Sequence, residues 1–466
     1  MAIQRLATLL LVPLIAACTA HFPVNPPLEH YDPNYGYRVP DERVSGKSQQ
    51  LFLALTFSGG GTRAAALSYG ILGALARTEV MVEGRRRRLL DEVDIISSVS
   101  GGSFTAGYYG LFGDRIFEEF EERFLKKNID KKLRLRLFSP VNWFRLGSRN
   151  FARSDLAAEY YDKHIFEGAT FGLIIARGGP GVVINATDMV LGSQFGFTQA
   201  QFDWICSDLS RFPVARAVAA SSAFPLVMTP VALKNYAGRC NYRPPPWFNA
   251  ALDARDTMPQ RYRQADRLFT YMDRLERPYI HLVDGGLSDN LGLRGVLERV
   301  SLEGGAWNVI RAAGLELTRR VVYIVVNAES TLDVSLNQKP RAPKIKQVVR
   351  AASVAFINST NFDTIESFKQ NIPKWRDEIR ANRCRAQGQR PSASGGEREV
   401  GACDDFDIIV VDVSLGELAD QVEGNYLKQL PTGFHLQPED VDRLRIAAAK
   451  LLAQSASFQS FIKQLR

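Results

Sequence analysis

Three short motifs in this 466-residue sequence each follow an apolar run, at a point where a β-strand would end. They are Ser58-Gly59-Gly60-Gly61-Thr62-Arg63, Ser98-Val99-Ser100-Gly101-Gly102 and Val283-Asp284-Gly285-Gly286. A serine hydroxyl becomes a nucleophile when a base lies within hydrogen-bond reach, and an aspartate can be that base. A glycine-rich loop supplies backbone amides that stabilise a developing oxyanion. These residue types therefore indicate nucleophilic attack on an acyl group.

Ser100 is the candidate nucleophile, because a serine on a sharp strand-to-helix turn exposes its hydroxyl at the edge of the sheet. Such a turn is strained and its helix packs closely, so the neighbouring residues Ser98, Gly101 and Gly102 must be small. The usual pattern G-x-S-x-G has glycine at its first position, where this sequence has Ser98. The alternative interpretation of Ser100 is an ordinary serine cap of a helix.

The candidate oxyanion loop consists of Gly59, Gly60, Gly61, Thr62 and Arg63. Consecutive glycines let the backbone turn tightly and direct N–H groups to one point, beside a helix N-terminus that favours negative charge. The spacing of Gly59, Gly61 and Ala64 also matches the loose dinucleotide fingerprint. That kind of site needs an acidic residue at the end of the second strand, which here ends in Ser98-Val99-Ser100. We therefore expect an oxyanion loop and no cofactor.

Asp284 is the candidate base, and Gly285 and Gly286 place it in a tight turn with its carboxylate at the end of an apolar run. An Asp-Gly pair on its own is only a common turn. The sequence has five histidines, and none lies in a comparable motif. His281 is three residues before Asp284, so in a strand it would face the opposite side of the sheet. A Ser–Asp dyad is thus more economical than a Ser–His–Asp triad.

Apolar runs alternate along the chain with longer helix-like stretches. The runs that read as strands are 51–57, 93–99, 182–185, 279–284, 321–327 and 407–413. Continuous Val/Ile runs separated by helices predict an α/β fold with a mainly parallel central sheet covered on both faces. Functional groups then belong at the carboxyl ends of the strands. Residues 331–466 are more helical and charged, and we expect a C-terminal extension packed on the same core.

The N-terminal residues indicate export. Residues 1–17 have one arginine before a short apolar stretch that ends in small residues, which is the pattern of a signal peptide. Ile15-Ala16-Ala17-Cys18 resembles the lipobox of bacterial lipoproteins, in which the cysteine becomes the acylated first residue of the mature protein. Thr19 then suggests the outer membrane, with the protein facing the periplasm. The Pro- and Tyr-rich residues 18–50 would form a tether.

Four cysteines remain after Cys18, namely Cys206, Cys240, Cys384 and Cys403. In an oxidising compartment they could form two disulfides, in any of three connectivities. Nearest-neighbour pairing would join Cys206 to Cys240 and Cys384 to Cys403, and four buried free thiols are the alternative. The sequence has no Cys-x-x-Cys pair or Cys/His cluster, so we expect no metal site.

Composition excludes several classes of protein. With 45% hydrophobic and 23% charged residues, the chain is globular, and beyond residue 20 no apolar run approaches the length of a membrane span. The net charge is +8, but no nucleic-acid-binding motif accompanies it, so we expect no nucleic acid partner. Residues 116–146 interleave Phe, Leu and Trp143 with Lys and Arg, and Arg85–Arg88 add a basic run. This pattern favours an anionic membrane surface, and the alternative is a solvated helix pair that shields the core.

Taken together, the ordered motifs resemble the patatin-like phospholipase family. That family has G-G-G-x-[RK] as its oxyanion loop, G-x-S-x-G around the nucleophile and D-G-[GA] at the base. A fourth segment, residues 220–225, resembles the family's A-S-x-A-x-P pattern. The resemblance covers about residues 51–295 and implies a three-layer fold with a Ser100–Asp284 dyad. We accordingly expect a patatin-like acyl-hydrolase domain at residues 51–330.

The resemblance implies a serine acyl-ester hydrolase that acts on phospholipid or lysophospholipid through a covalent acyl-enzyme, without a metal or other cofactor. One alternative keeps the chemistry but not the substrate, as a carboxylesterase or acyltransferase on another acyl ester. The other is a non-catalytic envelope lipoprotein that retains the fold as a scaffold. Ser98 and the C-terminal extension are the features that keep this last interpretation open.

Overall fold

The computed structural model describes residues 25–38, 47–148, 151–225, 227–331, 337–338, 340, 342–389 and 402–465. The predicted signal peptide, Cys18 and part of the predicted tether lie outside these residues. Among the helices of the described ranges, none is both long enough and apolar enough to cross a membrane.

A central eight-stranded sheet organises the chain. In chain order the strands are β1 (Leu51–Phe57), β2 (Glu79–Val82), β3 (Arg85–Arg88), β4 (Val93–Val99), β5 (Gly181–Asp188), β6 (Ser193–Gly196), β7 (Val231–Lys234), β8 (Tyr279–Asp284), β9 (Arg320–Asn327) and β10 (Asp407–Ser414). The order across the sheet is β10-β9-β1-β4-β5-β8-β7, β6 pairs with β5, and β2 and β3 form a separate hairpin. The six apolar runs are all strands, as predicted from the sequence.

The sheet is mainly parallel, as expected, but β8 is not. Strands β10, β9, β1, β4 and β5 are parallel neighbours, whereas β8 runs antiparallel to β5. The two strands share only the register pairs of residues 186–188 with 282–284, and Ala186 lies opposite Asp284. Strand β8 therefore enters from beyond the carboxyl end of β5 and stops there. This short overlap brings Asp284 to the edge where the parallel strands end.

Alternation along the strands creates two apolar layers. In β1, Leu53 and Leu55 belong to the larger core on one face, and Phe52 and Ala54 belong to a smaller core on the other. This is the two-residue period of a strand that is buried on both sides. The result is the three-layer α/β arrangement expected from the sequence.

Helices cover both faces of the sheet. In chain order they are α1 (Gly61–Arg77), α2 (Gly101–Phe112), α3 (Ile116–Phe120), α4 (Ile129–Leu137), α5 (Pro140–Leu146), α6 (Arg153–Tyr161), α7 (Phe171–Arg177), α8 (Gln199–Asp203), α9 (Val214–Ser221), α10 (Trp247–Leu252), α11 (Pro259–Thr270), α12 (Arg294–Glu303), α13 (Ala306–Ala312), α14 (Ile345–Ala386), α15 (Gln421–Gln429), α16 (Pro438–Gln454) and α17 (Ala456–Gln464). Helices α1, α2, α9 and α16 pack into the larger core, and α13 and α14 pack into the smaller one.

The residues after 330 build part of this architecture. Strand β10 is the edge strand of the central sheet, and α14 and α16 lie on its opposite faces. A disulfide joins Cys384, near the end of α14, to Cys403 ahead of β10, and a second joins Cys206 to Cys240. The C-terminal region thus packs on the same core as the rest of the described chain.

Helices α1 and α16 cross at Gly70, where a Cβ atom would lie 2.6 Å from the Cβ of Ala448 and 2.9 Å from the Cα of Arg445. We predict that Gly70→Ala lowers the free energy of unfolding by about 1–3 kcal/mol, because the added methyl group forces the helices apart. Chemical denaturation monitored by circular dichroism measures this change.

Gly73 on the same helix provides the control. The nearest atom to a Cβ there is a guanidinium nitrogen of Arg77 at 3.4 Å, so a methyl group has room. Gly73→Ala should be neutral or should stabilise the protein by roughly 0.5–1 kcal/mol, since alanine favours a helix over glycine. Equal effects of the two substitutions would contradict the close crossing.

Candidate active site

Ser100 lies on a strained turn between β4 and α2. Its backbone has φ 48° and ψ −116°, a conformation that residues other than glycine rarely adopt. The turn also needs its two glycines: a Cβ on Gly101 would lie 2.1 Å from the carbonyl oxygen of Gly61, and one on Gly102 would lie 2.7 Å from the Cβ of Phe57. Helix α2 therefore starts in direct backbone contact with the glycine-rich loop.

Ser98 fits the first position of this turn. Its side chain is buried, and its hydroxyl donates a hydrogen bond of 3.1 Å to the carbonyl oxygen of Val183 in β5. The larger side chain is thus accommodated by the neighbouring strand, and the strand–turn–helix geometry around Ser100 is preserved.

The backbone of Ser100 is held by Ser221, at the end of α9. The amide of Ser100 donates to Oγ of Ser221 at 2.8 Å, and that hydroxyl donates to the carbonyl oxygen of Asn185 at 2.6 Å. Because all three residues are buried, these bonds are shielded from competition by water. They fix the position of the turn relative to β5.

Asp284 lies directly against the hydroxyl of Ser100. Oγ of Ser100 donates to Oδ2 of Asp284 at 2.9 Å, and the amide of Gly286 donates to Oδ1 at 2.8 Å. The amide of Asp284 donates to the carbonyl oxygen of Ala223 at 3.1 Å. A Cβ on Gly285 would lie 2.2 Å from the carbonyl oxygen of Asn185, so the turn after Asp284 also requires glycine.

Burial raises the pKa of Asp284 to about 6, against the opposing effect of the hydrogen bonds from Gly286 and Ser100. Within the described chain, no histidine hydrogen-bonds to Ser100 or Asp284, and His281 is exposed. The carboxylate of Asp284 is therefore the group placed to accept the proton of Ser100, and its raised pKa makes it a stronger base than an ordinary aspartate.

The glycine-rich loop lies beside Ser100, since a Cβ on Gly59 would be 3.3 Å from the Cβ of Ser100. The amide of Gly59 is occupied by the backbone carbonyl and side-chain oxygens of Asn290, each at 3.1 Å. Across the described ranges, the amides of Gly60 and Gly61 donate to no protein acceptor. Both glycines have positive φ, of 139° and 61°. These two amides are the ones free to bind an oxyanion.

Thr62 and Arg63 connect this loop to the C-terminal region. The amide of Thr62 donates to the carbonyl oxygen of Gly433 at 2.9 Å. The guanidinium of Arg63 is buried and donates to the carbonyl oxygens of Ala328 and Leu430 and, at 3.4 Å, to Oγ1 of Thr432. Burial lowers the pKa of Arg63 to about 10. Through these bonds, Arg63 holds the glycine-rich loop against the C-terminal region.

The family model of patatin-like phospholipases matches residues 55–297, which is more than half of the chain. The chain belongs to the patatin-like phospholipase family. No curated protein sequence matches it. Among solved structures, human GIVD cytosolic phospholipase A2 is similar at 13% identity and a TM-score of 0.47, over 90% of this chain and 62% of that one. The complex of that enzyme with methyl gamma-linolenyl fluorophosphonate is similar at 13% identity and a TM-score of 0.42, over 90% of this chain and 59% of that one. The chain thus spans less than two thirds of these proteins.

This patatin-like chain brings all three sequence motifs together in one site, but it also uses residues that the motifs did not predict. Asn290 follows the D-G-G motif by four residues, and Ser221 lies within the segment that resembles A-S-x-A-x-P. Both could have been examined as polar residues beside a motif. Gly433 has no such signal, because only the folded chain brings it to the loop. In the described residues, no group of three or more His, Cys, Asp or Glu side chains is arranged to hold a metal ion.

The raised pKa of Asp284 predicts a pH-dependent change in stability. The carboxyl has an ordinary pKa of 3.8, and about 6 in the folded protein. The neutral carboxyl of Asp284 therefore favours folding and its carboxylate disfavours folding. The folded protein loses this contribution to its stability as the pH rises through about 6. We expect Asp284→Asn to raise the free energy of unfolding by up to about 3 kcal/mol at about pH 8, and the gain to vanish near pH 4. Urea denaturation of both proteins across this range measures the difference, and a less stable Asn variant at about pH 8 would contradict it.

Proposed function

We propose that this protein hydrolyses the carboxylic esters of phospholipids or lysophospholipids, with Ser100 as the nucleophile and Asp284 as its base. The observation that supports this most directly is the buried 2.9 Å hydrogen bond from Oγ of Ser100 to Oδ2 of Asp284. Family membership supports a lipid acyl ester as the substrate. Two unoccupied amides beside the hydroxyl complete the set of groups that acyl transfer needs.

In the first half of the reaction, Asp284 takes the proton of Ser100 as the serine oxygen attacks the ester carbonyl carbon. The amides of Gly60 and Gly61 stabilise the resulting oxyanion, an effect worth about 3–4 kcal/mol per donor in other acyl-transfer sites. The intermediate collapses with cleavage of the ester C–O bond. The departing alcohol takes the proton from Asp284, and the acyl group remains on Ser100.

In the second half, water gives a proton to Asp284 and attacks the acyl carbonyl. Collapse of this intermediate breaks the bond to Ser100, which recovers its proton from Asp284, and releases the fatty acid. The strained backbone of Ser100 and the hydrogen bond from its amide to Oγ of Ser221 hold the hydroxyl in place through both halves of the reaction. The proton that leaves with the alcohol is replaced by one from water, so the cycle consumes only the ester and water and restores Ser100 and Asp284 to their starting states.

We predict that Ser100→Ala and Asp284→Asn each lower the release of fatty acid from phosphatidylcholine vesicles by roughly 10³-fold or more. Wild type should retain its activity in EDTA, because no step uses a metal. Ser68→Ala is a suitable control, since Ser68 is also buried and its hydroxyl has no partner among the described residues. Substantial activity in either variant would rule out the dyad, provided that circular dichroism shows the wild-type fold.

The same assay gives a pH profile. With the pKa of Asp284 at about 6, the ionised base is lost as the pH falls. We expect kcat/KM to be level above about pH 7 and to fall about tenfold per unit below about pH 6. Labelling by a fluorophosphonate, lost in Ser100→Ala, would identify the nucleophile. A wild-type protein that is neither labelled nor active on any lipid or short ester would favour a non-catalytic scaffold instead.

We also propose that the mature protein is anchored by acyl chains on Cys18 to the outer membrane, facing the periplasm. The lipobox-like residues 15–18 and Thr19 support this assignment. Two disulfides within the described chain fit an oxidising compartment. Growth with an alkyne-labelled fatty acid should label the wild type and not Cys18→Ser. Labelling of both proteins would contradict the anchor.

A further inference from the structure

Helices α4 and α5 form a hairpin, residues 129–146, that leaves its large apolar side chains in solvent. Only Ile129 is buried in α4, and no residue is buried in α5. The exposed side chains are Leu135 (58% exposed), Phe138 (70%), Val141 (70%), Trp143 (58%) and Phe144 (47%). The interpretation of this segment as a pair that shields the core therefore does not hold for α5. Exposed apolar groups at this density mark an interaction surface.

A cationic cleft of about 570 Å³ lies between this hairpin and α6. Its basic side chains are Lys127, Lys132, Arg136, Arg145 and His164. Among the described residues that line it, Glu159 is the one carboxylate, and it is paired with Arg145, with Nη1 and Oε2 3.0 Å apart. In the described part of the chain, Lys127, Lys132 and Arg136 form no ion pair.

The electrostatics of the cleft favour an anion. Burial, followed by the nearby charges of Arg136 and three lysines, lowers the pKa of His164. Arg136 also lies over the ring of Tyr160, at 5.2 Å from its centroid, and is part of the cleft wall. An anion with several oxygens, such as a phosphate group, matches this set of donors.

The start of the hairpin is bonded to the segment that holds the glycine-rich loop. The amide of Ile129 donates to the carbonyl oxygen of Phe434 at 3.1 Å, and the amide of Phe434 donates to Oδ2 of Asp130 at 3.1 Å. The preceding residue, Gly433, accepts the hydrogen bond from Thr62. The ring of Phe434 packs 5.2 Å from that of Phe104 in α2, the helix that begins after Ser100.

A second path connects the other side of the cleft to the site. Helix α6 begins beside Thr229, whose Oγ1 accepts from the amide of Ser154 at 3.2 Å. Thr229 follows the segment that includes Ala223, the acceptor for the amide of Asp284. The start of the hairpin and the start of α6 are therefore each linked to the candidate active site by a short path of contacts.

We propose that the α4–α5 hairpin docks the protein on an anionic phospholipid surface, with its apolar side chains in the interface and the phosphate of an acidic headgroup in the cleft. This proposal rests on the proposed lipid substrate. Charge complementarity favours a bilayer over a protein as the occupant, since cations and apolar side chains alternate along one short segment, as in interfacial helices. Docking here would present the site to the membrane.

Tryptophan fluorescence tests the proposal on the acylated full-length protein. Of its five tryptophans, all in described ranges, Trp143 is exposed and the others are buried or half-buried. The protein is reconstituted into phosphatidylcholine vesicles with and without phosphatidylglycerol, using lipids brominated in the acyl chains. We expect quenching that requires phosphatidylglycerol and that Trp143→Phe abolishes. Trp307→Phe, which removes a half-buried tryptophan, should leave this quenching unchanged.

The charges are tested in the same vesicles. A basic residue near an anionic surface contributes roughly fivefold to binding, so Lys132→Gln/Arg136→Gln should lower the docked-to-undocked ratio roughly 30-fold. The matched control is Arg274→Gln/Lys374→Gln, two exposed cations outside the cleft. If Trp143 is quenched in neither kind of vesicle, the proposal is overturned in favour of a protein occupant. If the quenching is the same without phosphatidylglycerol or in the charge variant, the phosphate site is overturned.

Hydrolysis of a soluble short-chain ester separates this proposal from the proposed function. The docking variants should retain wild-type activity on the soluble ester and lose activity on anionic vesicles. A wild-type protein that is inactive on both the soluble ester and the vesicles would refute the hydrolase itself, while the quenching measurement would still decide the docking surface.

Discussion

The backbones of Gly101 and Gly61 lie so close that one methyl group on Gly101 would be 2.1 Å from the carbonyl oxygen of Gly61. This contact sets the distance between the turn that carries Ser100 and the loop that carries the free amides. It is possible because β1 and β4 are adjacent parallel strands, with Phe57 in register with Ser98, so their two helices begin side by side. A larger residue at either glycine would separate the hydroxyl of Ser100 from the amides of Gly60 and Gly61.

The site is also a place where folding stability is given up for chemistry. Ser100 has a backbone conformation that costs of the order of 1–3 kcal/mol outside glycine. Asp284 is buried without a cationic partner in hydrogen-bond contact, and this burial raises its pKa. The surrounding structure compensates through the hydrogen bond that the amide of Gly286 donates to Asp284, through the one that Ser221 accepts from the amide of Ser100, and through the large core beneath α2. A relaxed Ser100 or a solvated Asp284 would make the folded protein more stable; under the proposed function, both unfavourable features serve the reaction.

The strands and the turns that follow them could be predicted because local sequence patterns identify them. Continuous Val/Ile runs identify the strands, and a small residue after such a run identifies the turns, so Ser100 and Asp284 could be found from sequence. The direction of β8 in the sheet could not be predicted, because the apolar pattern of a six-residue strand does not show whether it runs parallel or antiparallel to its neighbour. Had β8 paired with β5 over its full length, Asp284 would lie at the wrong edge. Only the three-residue overlap places it beside Ser100.

The contacts of the C-terminal region were unpredictable for a different reason. Residues 430–434 have no motif, and their role comes from backbone groups: Gly433 accepts from Thr62, and Leu430 accepts from Arg63. Backbone hydrogen bonds place little restriction on residue type, except where close packing leaves no room for a side chain. A Cβ on Gly61 would lie 2.4 Å from the carbonyl oxygen of Gly433, and Gly61 also has a positive φ. Both features require glycine at this position.

These same contacts join the hairpin to the glycine-rich loop through a single segment. Asp130 and Ile129 hold Phe434 from one side, while Thr62 and Arg63 hold the segment from the other. The bonds of Ile129, Asp130 and Thr62 to this segment are 2.9–3.1 Å long, and such a bond weakens steeply with displacement. The start of the hairpin therefore cannot shift by more than a fraction of an ångström without breaking these bonds or moving the loop. The position of the free amides relative to the start of the hairpin is thus set by the fold.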